Sequence, residues 1–125
     1  MMLNDPAIVE EVRDAFERYE TALLANDADV LDAMFVHRDD TVRFGVAEVQ
    51  YGIDEIRQFR AMQRPFTRRL ERLAIVSYGG DVAVASVLFY RDDFPGQIGR
   101  QQQTWLRTPT GWRVAAAHVS MMPQT

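Results

Sequence analysis

The stretch GRQQQTWLRTPTGWRVAAAHVS, residues 99–120, predicts two long β-strands joined by a turn. Strand-forming residues run through both arms, and Pro109-Thr110-Gly111 has the composition of a tight turn. We therefore place strands at 98–108 and 112–121. Strands of this length joined by so short a turn predict an antiparallel hairpin.

The same pattern extends toward the N-terminus. Residues 68–78 end at a Tyr78-Gly79-Gly80-Asp81 turn, and 82–91 is nearly continuous in β-formers. Phe94-Pro95-Gly96 supplies the turn into the strand at 98–108. The second half of the chain is therefore predicted to be an antiparallel meander of four strands.

The first half of the chain is predicted to be mainly helical. Asn4-Asp5-Pro6 has the composition of a helix start, and apolar residues then recur at spacings of three and four over 5–25. Asp27 caps a second, shorter helix. A third helix is predicted over 53–63, with Ile53, Ile56 and Phe59 as its apolar contacts, and Pro65 stops it.

A short hairpin, with strands at 41–46 and 48–51, separates the second helix from the third. Three helices followed by a meander predict an α+β fold in which the helices cover one face of a curved antiparallel sheet. In such a cone, the helices and the concave face of the sheet enclose a pocket. A length of 125 residues fits one domain, residues 1–125.

The composition excludes several classes of function. The chain has no cysteine, two distant histidines and 14 basic residues, all of them arginine. This excludes disulfides, thiolate nucleophiles and lysine Schiff bases, and we expect no metal and no cofactor. The net charge of −4 and the scattered arginines predict no nucleic-acid partner. Without a long apolar run or an export signal, we expect a cytoplasmic protein that binds no membrane.

Arg43 lies in the middle of a predicted strand, on the same face as Thr41 and Gly45. A cation in this place either faces water or lines a cavity. In a cavity, its five donors would suit a carboxylate. The alternatives are exposure or a structural ion pair with Asp40 or Glu48.

Tyr19 and Gln103 are the next candidates. Tyr19 follows the apolar stripe of the first helix, so its ring is predicted to face the sheet, and a buried hydroxyl needs a partner. A core tyrosine bonded to a backbone carbonyl is the alternative. Gln103 shares a strand face with Gln101 and Trp105, and its amide offers a donor and an acceptor to a urea or a carboxylate. An exposed or edge face is the alternative here.

Three further residues are candidates with a structural alternative. The period of the last strand places His118 on a mostly apolar face with Trp112 and Val114, where a core histidine is also common. His37 follows the second helix and lies either at the pocket mouth or in a surface loop. Arg64 is close to the end of the third helix, so we expect it, rather than the earlier arginines of that helix, to reach a ligand.

Four stretches of the chain resemble the SnoaL-like, nuclear-transport-factor-2-like (NTF2-like) proteins grouped with HpxZ and AtzH. They are LNDPAIVEEVRDAFERYETALLANDADVLDAMF (3–35), TVRFG (41–45), YGIDEIRQFR (51–60) and GRQQQTWLRTPTGWRVAAAHVS (99–120). The resemblance covers nearly the whole chain and implies the same cone-shaped α+β fold. The run RAMQRPFTRRLERL at 60–73 departs from the family pattern.

The resemblance implies two contexts for the function. HpxZ-type members accompany oxalurate catabolism. AtzH-type members remove a carboxyl group from 1,3-dicarboxyurea to give allophanate, alongside amidase-signature hydrolases. We therefore expect a cofactor-free enzyme that decarboxylates or hydrolyses a small ureido carboxylate. The alternative is a non-catalytic ligand-binding or assembly subunit for an amidase partner, since a fold does not determine a function.

The implied chemistry gives roles to the candidates. Loss of CO2 from an N-carboxylated urea needs a cation to hold the carboxylates and a group that delivers a proton. We expect Arg43 in the first role and Tyr19 in the second. The other candidates are then substrate-binding residues: Gln103, His118, Arg64 and His37. A reaction of the ketosteroid-isomerase type would need an inward carboxylate base, which the predicted strands lack. The outward face of the meander predicts a homodimer.

Overall fold

The computed structural model of the protein describes all 125 residues. The elements in chain order are α1 (Pro6–Ala25), α2 (Ala28–Ala33), β1 (Val42–Phe44), β2 (Val49–Tyr51), α3 (Ile53–Ala61), β3 (Arg68–Tyr78), β4 (Val82–Arg91), β5 (Gln97–Thr108) and β6 (Gly111–Pro123). The predicted order of three helices, an inserted hairpin and a four-stranded meander is confirmed. None of the helices combines the length and the apolar character that a membrane span requires.

Helix α1 begins and ends where its sequence dictates. The Asp5 carboxylate accepts a hydrogen bond from the Ala7 N–H at 3.0 Å, and Pro6 supplies the preset φ of the first turn. The helix ends at Asn26, which adopts the left-handed conformation with φ 50°. Its apolar side is buried: Ile8, Val12, Ala15, Phe16, Tyr19, Ala22 and Leu23.

Two elements are shorter than the sequence predicts. Helix α3 ends at Ala61, with Met62 as its C-cap, rather than at Gln63. The strand that contains Arg43 covers only Val42–Phe44. The segment between α3 and β3 is therefore longer than expected, and it carries the arginine that was predicted to reach a ligand.

The six strands form one sheet in the order β2-β1-β6-β5-β4-β3. Four of the five pairings are antiparallel, as predicted, and the pairing of β1 with β6 is parallel. The chain crosses on α3 from the β1–β2 hairpin to the far edge of the sheet. It then returns through β3, β4 and β5, so β6 arrives beside β1 and runs in the same direction.

A β-bulge changes which face the second half of β6 presents. The register slips between Thr104 and Trp105, and Ala115 is the extra residue on β6. Before the bulge Val114 is buried against the helices, whereas beyond it the buried residue is Ala117. Every residue of β6 after the bulge therefore faces the side opposite to the one that strict alternation predicts.

The core fills the space between the helices and the inner face of the sheet. Nineteen buried hydrophobic residues form one cluster, with Trp105 among those fully buried. The inner face also carries polar residues that are buried: Arg43, Gln50, Gln101 and Gln103. Since buried polar groups need partners, these residues distinguish one end of the cone from the rest of the core.

Candidate active site

A cavity of about 340 Å³ lies at the polar end of the cone, between the sheet, α1 and α3. This volume suits a small molecule. Part of its wall is aromatic, from Phe59, Phe66, Phe89 and Phe94. Its polar wall contains four arginines, Arg43, Arg60, Arg68 and Arg91, together with Tyr19, Gln101 and Gln103. The structure therefore brings together three of the predicted site residues, Tyr19, Arg43 and Gln103.

Strand register explains how residues distant in sequence meet in this cavity. Arg43 is directly opposite Ala117 across the parallel β1–β6 pairing, and Ala117 is opposite Gln103 on β5. All three face inward and are buried. The side chain of Ala117 is short, whereas those of Arg43 and Gln103 on either side of it are long. This arrangement leaves space above Ala117 for a ligand.

Arg43 lines the cavity and also makes a structural ion pair. Its Nη1 donates to Glu48 Oε1 at 2.7 Å and to Gln50 Oε1 at 2.9 Å, and the guanidinium stacks 4.6 Å from the Phe59 ring centroid. Both bonds use Nη1, so the Nε–H and Nη2 donors lie outside this pair. Of the two acids that the sequence offered as partners, Glu48 is the one used.

Asp40, the other offered partner, lies on the surface and pairs with Arg38. Arg38 donates two hydrogen bonds to its carboxylate, at 2.7 and 2.8 Å. These bonds lower the pKa of Asp40 below its ordinary value.

Arg60 is the cation that the sequence reasoning missed. It is 6% exposed, and its Nε and Nη2 atoms are buried without a hydrogen-bond partner. Burial lowers the pKa of Arg60 and the nearby Arg43 adds to this shift, whereas Tyr19 and Glu48 oppose it. A guanidinium stays protonated at neutral pH despite such a shift. Arg60 therefore holds a positive charge inside the protein with donors left free.

Each of the other three arginines of the cavity has a carboxylate partner. The pairs, with their N···O distances, are Arg43–Glu48 at 2.7 Å, Arg68–Glu20 at 2.5 Å and Arg91–Asp93 at 2.7 Å. Arg60 belongs to none of these pairs. The cavity therefore contains one uncompensated positive charge, which favours an anionic ligand.

Tyr19 stands beside Arg60 in the wall of the cavity. Its ring makes edge contacts with Phe35 and Trp105, with ring centroids 6.0 and 6.1 Å away. The ring is therefore held on two sides, and the residue is 3% exposed. Tyr19 lines the cavity and interacts with the Arg60 guanidinium. The prediction that its ring faces the sheet is confirmed.

A second cleft, of about 350 Å³, lies between α2 and α3 and shares Arg60 with the first cavity. Its other charged residues are Asp29, Asp32 and Arg57, so apart from the shared Arg60 the cleft carries more negative than positive charge. Arg57 also donates to both carboxylate oxygens of Asp32, at 2.6 and 3.2 Å. The first cavity, rather than this cleft, is therefore the one suited to an anion.

Two of the predicted site residues lie away from the cavity because of local backbone geometry. His118 is exposed on the outer face of the sheet, where it contacts Phe44. It comes after the bulge in β6, so its predicted position on the inner apolar face was wrong. Arg64 is exposed because α3 ends at Ala61 and does not carry it toward the site.

His37 is a surface residue rather than part of the cavity wall. Its Nε2 lies 2.7 Å from the Asp32 carbonyl oxygen, and its Nδ1 lies 3.4 Å from Arg57 Nη2. Of the two places that the sequence allowed, the surface loop is the one observed.

A signal for Arg60 was present in the sequence. The buried residues of α3 are Ile53, Ile56 and Arg60, at positions i, i+3 and i+7 of one helical stripe. An arginine on the apolar stripe of a short helix points into the protein. Arg57, Arg60 and Arg64 also recur at helical spacing, a pattern that favours a solvated charged face, and this pattern gave no reason to place Arg60 inside.

No group of three or more His, Cys, Asp or Glu side chains lies close enough together to hold a metal ion. The polar side chains of the cavity are mostly nitrogen donors, from arginine and glutamine. Such a wall suits an acceptor-rich organic anion rather than a cation.

Comparison with known proteins identifies the family. The AtzH-like family model matches residues 1–125. The chain belongs to the AtzH-like family. A structure from Pectobacterium atrosepticum, of a DUF3225-family protein with unknown function, is 48% identical; the match covers 96% of this chain and 94% of that one, with a TM-score of 0.92. A cystatin-like fold protein from Burkholderia xenovorans is 43% identical, with coverage of 100% and 99% and a TM-score of 0.95.

More distant structures show the fold alone. An NTF2-like protein of unknown function from Pseudomonas putida is 23% identical, with coverage of 93% of this chain and 87% of that one and a TM-score of 0.79. The expected NTF2-like α+β fold is therefore confirmed for this AtzH-like chain. No curated protein sequence matches it.

Proposed function

We propose that this AtzH-like protein is an enzyme that binds a small ureido carboxylate and converts 1,3-dicarboxyurea to allophanate by removing CO2. The observation that carries the proposal is Arg60, a buried arginine without a carboxylate partner, beside Tyr19 in a cavity of suitable size. The family supports the choice of a ureido carboxylate.

Arg60 and Arg43 have complementary parts in holding the substrate. Arg60 supplies the uncompensated charge, and it binds the carboxylate that is retained in the product. The charge of Arg43 is already balanced by Glu48, so this arginine contributes directed donors from a fixed guanidinium. A fixed donor positions a ligand at a small entropic cost.

The departing carboxylate requires a different environment. In decarboxylation its negative charge leaves that group, so a cation bound to it would stabilise the reactant more than the transition state. The rings of Phe66 and Phe89 offer a wall without excess charge. The arginines stacked on these rings, Arg68 and Arg91, are each paired with a carboxylate.

The reaction balances with one proton. The bond between the urea nitrogen and the departing carboxylate carbon breaks, its electron pair stays on the nitrogen, and CO2 leaves. The nitrogen takes a proton from the Tyr19 hydroxyl, which regains one from water. General acid catalysis of this kind contributes about 10²- to 10⁴-fold, and the edge contacts of the Tyr19 ring restrict its orientation.

The test follows CO2 and the urea-derived products by NMR, with freshly generated 1,3-dicarboxyurea and subtraction of its uncatalysed decay. We expect wild type to accelerate the reaction, and Tyr19→Phe and Arg60→Met each to reduce the rate at least tenfold. Arg64→Met is the matched control, since Arg64 is exposed outside the cavity, and it should retain the wild-type rate. A folded wild type without acceleration, or an unaffected Arg60→Met variant, would overturn the proposal.

Binding without turnover would favour the non-catalytic alternative. Oxalurate, which carries a single carboxylate, matches the single uncompensated charge of the cavity. A wild-type protein that binds oxalurate through Arg60 but leaves 1,3-dicarboxyurea unchanged would therefore be a ligand-binding subunit.

A further inference from the structure

The two inward-facing glutamines of β5 have amide orientations that their partners determine. Arg68 Nη2 donates to Gln101 Oε1 at 3.0 Å, and Trp105 Nε1 donates to Gln103 Oε1 at 3.2 Å. Guanidinium and indole groups can only donate, so each glutamine must present its oxygen to that partner. The NH2 group of Gln101 is therefore directed away from Arg68, and that of Gln103 is directed away from Trp105.

The Gln101 NH2 group is a buried donor without a partner. Gln101 is 5% exposed and Gln103 is 1% exposed, and both line the cavity. Gln101 Nε2 is among the few buried side-chain atoms of the protein that make no hydrogen bond. A buried donor in this state destabilises the empty site and favours a ligand that brings an acceptor.

The orientation of Gln101 depends on a residue outside the cavity wall. Glu20, on α1, accepts two hydrogen bonds from Arg68, at 2.5 and 2.8 Å. The Arg68 side chain is 3% exposed and that of Glu20 is 14% exposed, so the pair is fixed and electrically neutral. Glu20 is thus a positioning residue, which acts on Gln101 through Arg68.

We infer that Gln101 and Gln103 form a neutral donor pair that recognises the central carbonyl oxygen of the substrate. The inference rests on the proposed function and adds a specificity-determining element to it. Arg60 provides the charge for a carboxylate, whereas the charges next to Gln101 cancel. A neutral donor in a neutral surrounding suits a carbonyl oxygen better than a second carboxylate.

A pair of dianions isolates this recognition. 3-Oxoglutarate has CH2 groups in place of the two NH groups of 1,3-dicarboxyurea and keeps the central carbonyl, whereas glutarate lacks the carbonyl. Both carry two carboxylates, so the ratio of their dissociation constants measures carbonyl recognition alone. We expect wild type to prefer fresh 3-oxoglutarate by about threefold to tenfold, as one or two neutral hydrogen bonds allow.

Three variants test the role of Gln101. Gln101→Leu should remove most of the preference while leaving glutarate affinity near that of wild type. Gln101→Glu can still accept the bond from Arg68 but offers no donor, and it should also lose the preference even if the leucine variant folds poorly. Gln102→Leu is the matched control, because Gln102 lies between the two glutamines on the outer face and bonds Ser86. This variant should retain the wild-type ratio.

The inference is overturned if wild type binds the two dianions equally, if it binds neither, or if Gln101→Leu weakens both to the same extent. Turnover of 1,3-dicarboxyurea is measured in parallel. Discrimination without turnover contradicts the decarboxylation alone, and turnover without discrimination contradicts the donor pair alone.

Discussion

The Glu48 carboxylate occupies the space that a side chain at position 45 would need. A Cβ added to Gly45 would lie 1.6 Å from Glu48 Oε1. From this place Glu48 accepts hydrogen bonds from Arg43 at 2.7 Å and from the Ala47 N–H at 3.1 Å. This close approach explains why the residue at position 45, near Arg43, is a glycine. It lets the neutralising carboxylate fold back onto the arginine.

Gly45→Ala should separate this ion pair. The methyl group displaces the Glu48 carboxylate and leaves Arg43 buried with only Gln50 as a partner. We expect a loss of about 1–3 kcal/mol in the free energy of unfolding, which is below the range for a fully buried pair because Glu48 is partly exposed. Urea denaturation measures this. Gly80→Ala is the control, since nothing lies within 4 Å of its added Cβ; equal effects of the two substitutions would contradict the explanation.

Substitution by methionine should change the free energy of unfolding in opposite directions at Arg60 and at Arg43. Arg60→Met removes a buried charge that has no carboxylate partner, and it should raise the unfolding free energy by roughly 1–3 kcal/mol. Arg43→Met leaves the Glu48 carboxylate without its guanidinium and should lower it by a similar amount. Thermal denaturation without ligand compares the two variants with wild type.

The same pair of variants distinguishes a functional charge from a structural one. Arg60→Met should gain stability and lose the stabilisation that added glutarate gives to wild type. A clearly destabilised Arg60→Met would show that this guanidinium has a partner in solution, and the site would then lack its uncompensated charge.

The parts of the fold that depend on local chemistry could be predicted from the sequence. Asp5 and Pro6 begin α1, and the turn at Gly79-Gly80 joins the first strands of the meander. Alternation along β5 also correctly grouped Gln103 with Gln101 and Trp105 on one face, and all three are buried. These outcomes need only neighbouring residues.

The errors arose where one extra residue or one early helix end changed a side chain's direction. Nothing in the alternation around Ala115 shows that the strand bulges there, because the bulge depends on the partner strand. His118 was therefore placed on the wrong face. The sequence could not show either that Arg60 is unpaired, because this depends on where the fold places acids from α1, the β1–β2 turn and the β4–β5 turn.

Asp32 should make stability depend on pH in the acid range. The hydrogen bonds from Arg57 lower the pKa of Asp32 below its ordinary value; burial opposes this, and the electrostatic effects of His37 and Arg57 add to the lowering. Because the folded-state pKa is the lower one, the contribution is present above about pH 4 and disappears as the pH falls through the folded-state value. Asp32→Asn should therefore destabilise by less than about 1 kcal/mol at pH 7 and have no effect near pH 2. Urea denaturation across this range is the measurement, and a difference that grows toward low pH would reverse the assigned sign.

Glu20→Gln should increase the affinity of the cavity for dianions while it destabilises the empty protein. The substitution leaves the Arg68 charge uncompensated, so the cavity then contains two excess positive charges instead of one. Without ligand, we expect a loss of about 3 kcal/mol, as for the breaking of a buried pair. Glutarate should restore part of this loss, and its effect on the melting temperature should exceed that in wild type at equal ionic strength. Glu17→Gln, on the exposed side of the same helix, controls for the change in net charge. If glutarate shifts both variants and wild type equally, Arg68 does not act on the ligand, and the neutral character of this wall has no part in its specificity.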